Sequence, residues 1–331
     1  MMTFALLLPT VFLMAFAHLG RRHSAFAVLT YALLVFINVM FVTVGILILV
    51  GAFVLDTPDL VIQSDMVLPT ARELGLIGGT VLVSGLVAFV LLLPTTQRLL
   101  TLFMRIEPGD PVHTTALAFA CYVLGTTLAQ APLLAAMERM GEDTFRLPQS
   151  ELWGQAVALI LLALAGVGLG INRPPGAAAR RLGLTWPGRR EISTAIIGTF
   201  GLIFMQSLLG AAWMIVSPES LERVNKLSEL LLGDLFNPWG AVVIGLTAGV
   251  SEELVFRGAL QPRFGLLATS LLFSFIHAQY AFSFAWVIVF LLGLVLGLLR
   301  KYVNTTTAIL THMLYNTTLV LLAIYAPNLS P

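Results

Sequence analysis

Six polar residues in the C-terminal third have types and spacings suited to hydrolytic chemistry. They are Glu252, Glu253, Arg257, His277, His312 and Asn316. Their surroundings are apolar, and inserting one ionisable group into a membrane costs about 3 kcal/mol, so each needs a reason to be there. Glu252 with His277 close by can activate a water molecule. His312 and Asn316 can supply donors for an oxyanion, as hydrolysis of a peptide bond requires.

The spacings within this set predict which side chains share a helix face. Glu253 and Arg257 are four residues apart and can form an ion pair. Glu252 is rotated by about 100° from Glu253, so the two carboxylates face different surroundings. His312 and Asn316 are also four apart and can point to one spot. A purely structural Glu253–Arg257 pair is as good an interpretation as a catalytic one.

The composition excludes a soluble globular protein. Of the 331 residues, 58% are hydrophobic and only 11% are charged, against about 25% charged residues in soluble domains. The 18 basic and 17 acidic residues nearly cancel, which gives no sign of a nucleic-acid partner. The single cysteine, Cys121, excludes an internal disulfide framework and a multi-cysteine metal site.

The apolar segments predict an all-α polytopic membrane bundle of about ten spans, each of roughly 20 residues. The predicted spans are 2–19, 25–54, 74–94, 114–137, 152–171, 192–216, 240–260, 265–279, 286–299 and 303–325. At the helical rise, Glu252, His277 and His312 lie about 12, 18 and 14 Å from the cytoplasmic ends of their spans. Three helices therefore place ionisable groups in one layer.

The loops predict a topology and a division into domains. Basic loops alternate with acidic ones, so both termini should lie outside and the polar layer nearer the cytoplasm. The basic linker 172–191 separates an N-terminal five-span region of unknown role, 1–171, from a C-terminal domain, 192–331, with its core at 240–320. The amphipathic stretch Pro218–Phe236 is typical of a helix at the outer membrane interface.

Three motifs resemble those of the CAAX protease and bacteriocin-processing (CPBP) family, intramembrane proteases related to the type II CAAX prenyl endopeptidase. Residues 251–257, Ser-Glu-Glu-Leu-Val-Phe-Arg, look like the Glu-Glu-x-x-x-Arg motif. Residues 273–277, Phe-Ser-Phe-Ile-His, match Phe-x-x-x-His, and 312–316, His-Met-Leu-Tyr-Asn, match His-x-x-x-Asn. Arg181-Leu182-Gly183-Leu184 resembles a segment often seen ahead of that core. The resemblance covers about residues 180–325.

The resemblance implies a glutamate-dependent endopeptidase that acts on a peptide or protein segment at the membrane, by analogy in the cell membrane. Glu252 and His277 would activate the water, and His312 and Asn316 would stabilise the oxyanion. Glu253 and Arg257 would support the site. We expect no cofactor; zinc is conceivable from two glutamates and two histidines, but their spacings are not the short ones of zinc sites.

The competing interpretation is a non-enzymatic membrane protein, either a proton-coupled transporter or a peptide-binding scaffold. Buried Glu and His residues also serve proton relays. A transporter would favour paired repeats with broken helices in both halves, whereas the ionisable residues here are confined to one half. The motifs do not separate a peptidase from a scaffold, because an inactive relative could retain all of them.

Overall fold

The computed structural model describes residues 2–55, 69–138, 148–277, 280 and 283–326. These ranges contain fourteen α-helices and no strand. The helices are α1 (Met2–Gly20), α2 (Ser24–Leu55), α3 (Ala71–Leu92), α4 (Pro94–Leu100), α5 (Pro111–Glu138), α6 (Gln149–Gly166), α7 (Pro175–Leu182), α8 (Arg189–Val216), α9 (Pro218–Leu232), α10 (Pro238–Glu253), α11 (Gln261–Phe264), α12 (Leu266–Phe275), α13 (Phe284–Tyr302) and α14 (Thr305–Tyr325). The predicted all-α class is confirmed.

Eight helices within the described ranges are long and apolar enough to cross a membrane. They correspond to α2, α3, α5, α6, α8, the continuous helix Pro238–Phe264, α13 and α14. The protein is therefore a polytopic membrane protein. Predicted span 2–19 corresponds to the 19-residue α1, whose part Pro9–Gly20 is an apolar helix. Predicted span 265–279 contains an apolar helix that falls short of the length of a span. The 10-residue α12 extends only about 15 Å and covers part of a bilayer.

The seventh predicted span contains a π-helical segment directly after the paired glutamates. Residues Leu254–Leu260 join α10 to α11 without a break. The N–H of Gln261 bonds to the carbonyl of Phe256, five residues earlier. The next residue, Pro262, has no N–H to give. This widened turn lies in the most buried of the eight spans.

The largest hydrophobic cluster surrounds this span and includes α6. Ala163 near the end of α6 packs in one cluster with Phe256, Phe273 and Leu296. Helix α6 contacts both α10 and the π-helical segment. It therefore covers the C-terminal helices, although the sequence assigns it to region 1–171. The domain boundaries remain a prediction.

The amphipathic stretch after α8 is a helix, as predicted. In α9, Leu221, Val224 and Leu227 are buried, whereas Glu222 and Lys226 are exposed. Leu221 and Val224 pack in a cluster with side chains of α8 and α13. Its position at the outer membrane interface remains a prediction.

One polar anchor fastens α1 to the linker. The buried His18 ring bonds through Nε2 to the carbonyl of Gly166 at 3.1 Å, and Asn172 Nδ2 donates to Nδ1 at 2.9 Å. Gly168 has φ +75, and a Cβ there would lie 2.8 Å from the imidazole. A glycine is required at this position both by its conformation and by the close ring.

Candidate active site

Helices α10 and α14 approach each other through two glycines. A Cβ at Gly249 would lie 2.8 Å from the backbone nitrogen of Met313, and one at Gly245 would lie 2.7 Å from the carbonyl oxygen of Met313. Both contacts are with backbone, which cannot swing aside as a flexible side chain does. The absence of side chains at these glycines brings Glu253, one turn later, beside His312.

We expect Gly249→Ala to push α14 away from α10. The added methyl overpacks a backbone contact, and such overpacking costs about 1–3 kcal/mol of unfolding free energy. Thermal unfolding of the purified protein in detergent measures the loss. Gly201→Ala is the matched control, because a Cβ at that helical glycine meets nothing within 4 Å. An equal effect of the two substitutions would contradict the close-packing argument.

Glu253 is the centre of a buried charged cluster. Its side chain is 0% exposed. One carboxylate oxygen, Oε2, lies 3.1 Å from Arg257 Nε, and the other, Oε1, lies 3.1 Å from His312 Nδ1. The predicted Glu253–Arg257 pairing is therefore confirmed. Through its contact with His312, the same carboxylate also links α10 to α14. The spacing of Glu253 from Arg257 in the sequence gives no information on this second contact.

Arg257 is held by charge and by an aromatic ring. Its guanidinium carbon lies 4.5 Å from the centroid of Phe273 on α12, a cation–π contact. The Arg257 side chain is fully buried, and Nη1 and Nη2 have no hydrogen-bond partner among the described residues. The contact of Nε with Glu253 has ion-pair distance but not hydrogen-bond alignment. Removing the carboxylate would leave an uncompensated buried cation.

Phe273 also brings the two histidines to one place. Its ring centroid lies 5.1 Å from that of His277 and 6.0 Å from that of His312. Tyr280 stacks on the other side of His277, with centroids 5.9 Å apart and planes at 6°. Residues of the three predicted motifs thus converge on a single aromatic side chain. Tyr280 is a site neighbour that the sequence analysis did not identify.

The hydrogen bonds of the two imidazoles define their protonation pattern. His277 Nδ1 lies 2.8 Å from the carbonyl of Phe273. A carbonyl only accepts, so Nδ1 carries the hydrogen and Nε2 keeps a lone pair. His312 Nδ1 donates in the same way to the Glu253 carboxylate. His312 therefore donates from Nε2 only when both of its ring nitrogens carry a hydrogen.

Glu252 and Asn316 lie outside this hydrogen-bonded cluster. Glu252 is half-buried, and its Oε2 has no hydrogen-bond partner among the described residues. Asn316 is half-buried one turn after His312. The predicted difference between the adjacent glutamates is present: Glu253 lies at ion-pair distance from Arg257 and from His312, whereas Glu252 has no ion pair among the described residues.

A second group of potential metal ligands lies far from these motifs in sequence and serves a structural purpose. The ligand atoms of Glu107, Asp110 and His113 lie within 4.8 Å of one another. Asp110 accepts hydrogen bonds from Arg21 at 2.7 and 2.8 Å and caps α5 through the N–H groups of Val112 and His113. Burial alone would raise the pKa of Asp110. The hydrogen bonds from Arg21 and from the His113 N–H outweigh burial, so the pKa lies below its usual value.

The fold and the cluster define a polytopic helical membrane protein with a buried glutamate–arginine–histidine centre. Residues 234–318 match the family model described as Type II CAAX prenyl endopeptidase Rce1-like. This match confirms the predicted resemblance, and all six candidate residues lie inside it. Residues 1–233 lie outside the match. No curated protein and no solved structure matches the chain.

Proposed function

We propose that this protein is an intramembrane endopeptidase that hydrolyses a peptide bond in a membrane-associated peptide or protein. The observation that carries the proposal is the convergence of three polar helices at Phe273. Arg257 lies over its ring, both histidines lie beside it, and Glu253 bonds to His312. The family match supports a peptidase in general terms.

In the proposed reaction, Glu252 and His277 activate the attacking water. The unpaired Glu252 oxygen and the Nε2 lone pair of His277 are the groups able to accept its proton. As the water attacks the carbonyl carbon, negative charge develops on the carbonyl oxygen. The His312 imidazolium and the Asn316 amide stabilise that oxyanion. The tetrahedral intermediate then collapses: its C–N bond breaks, the proton taken from the water passes to the leaving amine, and a carboxylic acid remains.

Glu253 and Arg257 support the reaction without taking part in bond breaking. Glu253 orients His312 through its Nδ1, and Arg257 balances the negative charge of the other carboxylate oxygen. No metal is part of this proposal. In the proposed topology the basic loops lie in the cytoplasm. Both termini then lie on the outer side of the cell membrane, and the site opens towards the cytoplasm.

Comparing new protein N-termini in host membranes tests this function. The host carries either the wild type or Glu252→Gln, which preserves side-chain size and removes the base. We expect a set of termini that forms only with the wild type, and purified protein should then produce the same termini. The substrates so identified also decide whether a prenyl group is required.

The matched control is Glu222→Gln, which removes an exposed carboxylate from α9. It should give the wild-type set of termini. Identical profiles for the wild type and Glu252→Gln, at equal expression and with purified candidate substrates supplied, would contradict the proposal and favour a scaffold.

A further inference from the structure

The π-helical segment leaves backbone carbonyls without their helical donors. In an α-helix the carbonyl of Arg257 would bond to the N–H of Gln261, but that N–H bonds to Phe256. In a π-helix the partner of Arg257 would be residue 262, and Pro262 has no N–H. The same proline is the missing α-helical donor for Gly258. Buried carbonyls without partners are costly, so other donors are required.

Two arginines from elsewhere in the chain supply these donors. Arg300, near the end of α13, donates from Nε to the carbonyl of Arg257 at 3.2 Å. Arg181 of α7 donates from its two terminal nitrogens to Gly258 at 2.9 Å and to Ala259 at 3.3 Å. Burial, with repulsion from nearby arginines, lowers the pKa of Arg181 to about 10, so it is still a cation near neutral pH.

The surrounding backbone holds α7 in register with the C-terminal helices. Thr305 at the start of α14 donates from its hydroxyl to Leu182 at 2.6 Å and from its N–H to Gly183 at 3.0 Å. Gly183 has φ +76, and a Cβ there would lie 2.6 Å from the Arg300 guanidinium. A Cβ at Gly258 would lie 2.9 Å from the Leu182 side chain. Together these contacts form one packed unit.

We propose that Arg181 and Arg300 are positioning residues. By bonding to its carbonyls they stabilise the π-helical conformation of residues 254–260, and they thereby keep Arg257 beside Glu253. The inference rests on the proposed peptidase function for its kinetic consequence. Loss of a one-residue bulge rotates one side of a helix by about 100° relative to the other. Such a rotation would carry Arg257 away from Phe273 and from the glutamate that orients His312.

Glutamine substitutions test the kinetic consequence. Arg181→Gln and Arg300→Gln should each lower kcat by about 10- to 100-fold, as loss of a supporting contact commonly does, while KM changes less than about twofold. The matched controls are the exposed neighbours, Arg180→Gln and Lys301→Gln. They remove the same charge one residue away and should leave kcat unchanged. Wild-type kcat in both test variants would overturn the proposal.

A second-site substitution tests the cause. Pro262→Ala restores a backbone N–H that can donate to the carbonyl of Arg257 or of Gly258. Donation to the Arg257 carbonyl would replace the bond lost from Arg300, so Pro262→Ala should recover most of the kcat lost in Arg300→Gln. If Arg181→Gln does not fold, Arg181→Lys is used in its place. Lysine keeps the positive charge but lacks the planar guanidinium that bonds to two carbonyls at once. Failure of Pro262→Ala to restore a folded Arg300→Gln enzyme would contradict the carbonyl explanation.

Amide hydrogen exchange separates this proposal from the peptidase proposal. Exchange across residues 254–263 should accelerate in Arg181→Gln and Arg300→Gln and stay at the wild-type rate in the two control variants. This readout needs no substrate. A wild-type protein without activity would reject the proposed function but leave this test intact. Unchanged exchange in the test variants would reject the positioning role.

Discussion

Replacing Glu253 with alanine is expected to lower the free energy of unfolding by about 3–5 kcal/mol, the cost of breaking a buried ion pair. Both members of the pair are 0% exposed, so Arg257 would remain as a buried cation without its counter-charge. His312 would lose its Nδ1 partner at the same time. Unfolding of the purified variant by denaturant in mixed micelles measures the loss.

Two further variants separate the ion pair from the loss of side-chain volume. Glu252→Ala removes the adjacent, half-buried carboxylate and should cost less than about 1 kcal/mol. The double variant Glu253→Leu with Arg257→Met replaces both charges by apolar side chains and should recover most of the stability, but no activity. A double variant as unstable as Glu253→Ala would show that the charge is not the cause.

Substituting Glu252 and His277, the two groups proposed to activate water, should slow hydrolysis strongly and leave the fold intact. Glu252→Gln and His277→Gln should each slow the single-turnover rate by about 10²–10⁴-fold, the usual contribution of a general base. Because both act on the same proton, the double variant should be no more than slightly slower than the slower single variant. Quenched-flow measurement of product from a defined peptide substrate gives these rates.

The exposed His23 provides the control for the histidine substitution. His23 lies directly before α2, far from the site in the sequence, and His23→Gln should retain the wild-type rate. Multiplicative losses in the double variant would instead indicate independent roles for Glu252 and His277. Such a result would require another base for the water.

The helical period explains which parts of the site the sequence could predict. Glu253 and Arg257 share a face because they are four residues apart, and the structure pairs them. The same period separates Glu252 from Glu253, and the structure leaves Glu252 with an unpaired oxygen. Hydropathy likewise predicted the positions of the apolar helices, because composition over about 20 residues is a local property.

Contacts between distant segments were beyond such local patterns. The π-helical segment depends on Pro262, on Arg181 and on Arg300, and no repeat in the sequence connects these three residues. The bond between Glu253 and His312 depends on how closely α10 and α14 approach. Local signals for both existed only in part: a proline two residues after a predicted span, and glycines at 245 and 249 spaced one turn apart.

The packing of α6 on the helices that carry the candidate site has a consequence for how the molecule assembles. Ribosomes synthesise α6 before α10, so the segment bearing Glu253 and Arg257 enters the bilayer when its neighbour is already inserted. The apolar side chains around Ala163 then offer a protein surface, rather than lipid, to the π-helical segment. We therefore expect α6 to provide the packing surface for Glu253 and Arg257, and the charged centre to be complete only after α14, which carries His312, is inserted.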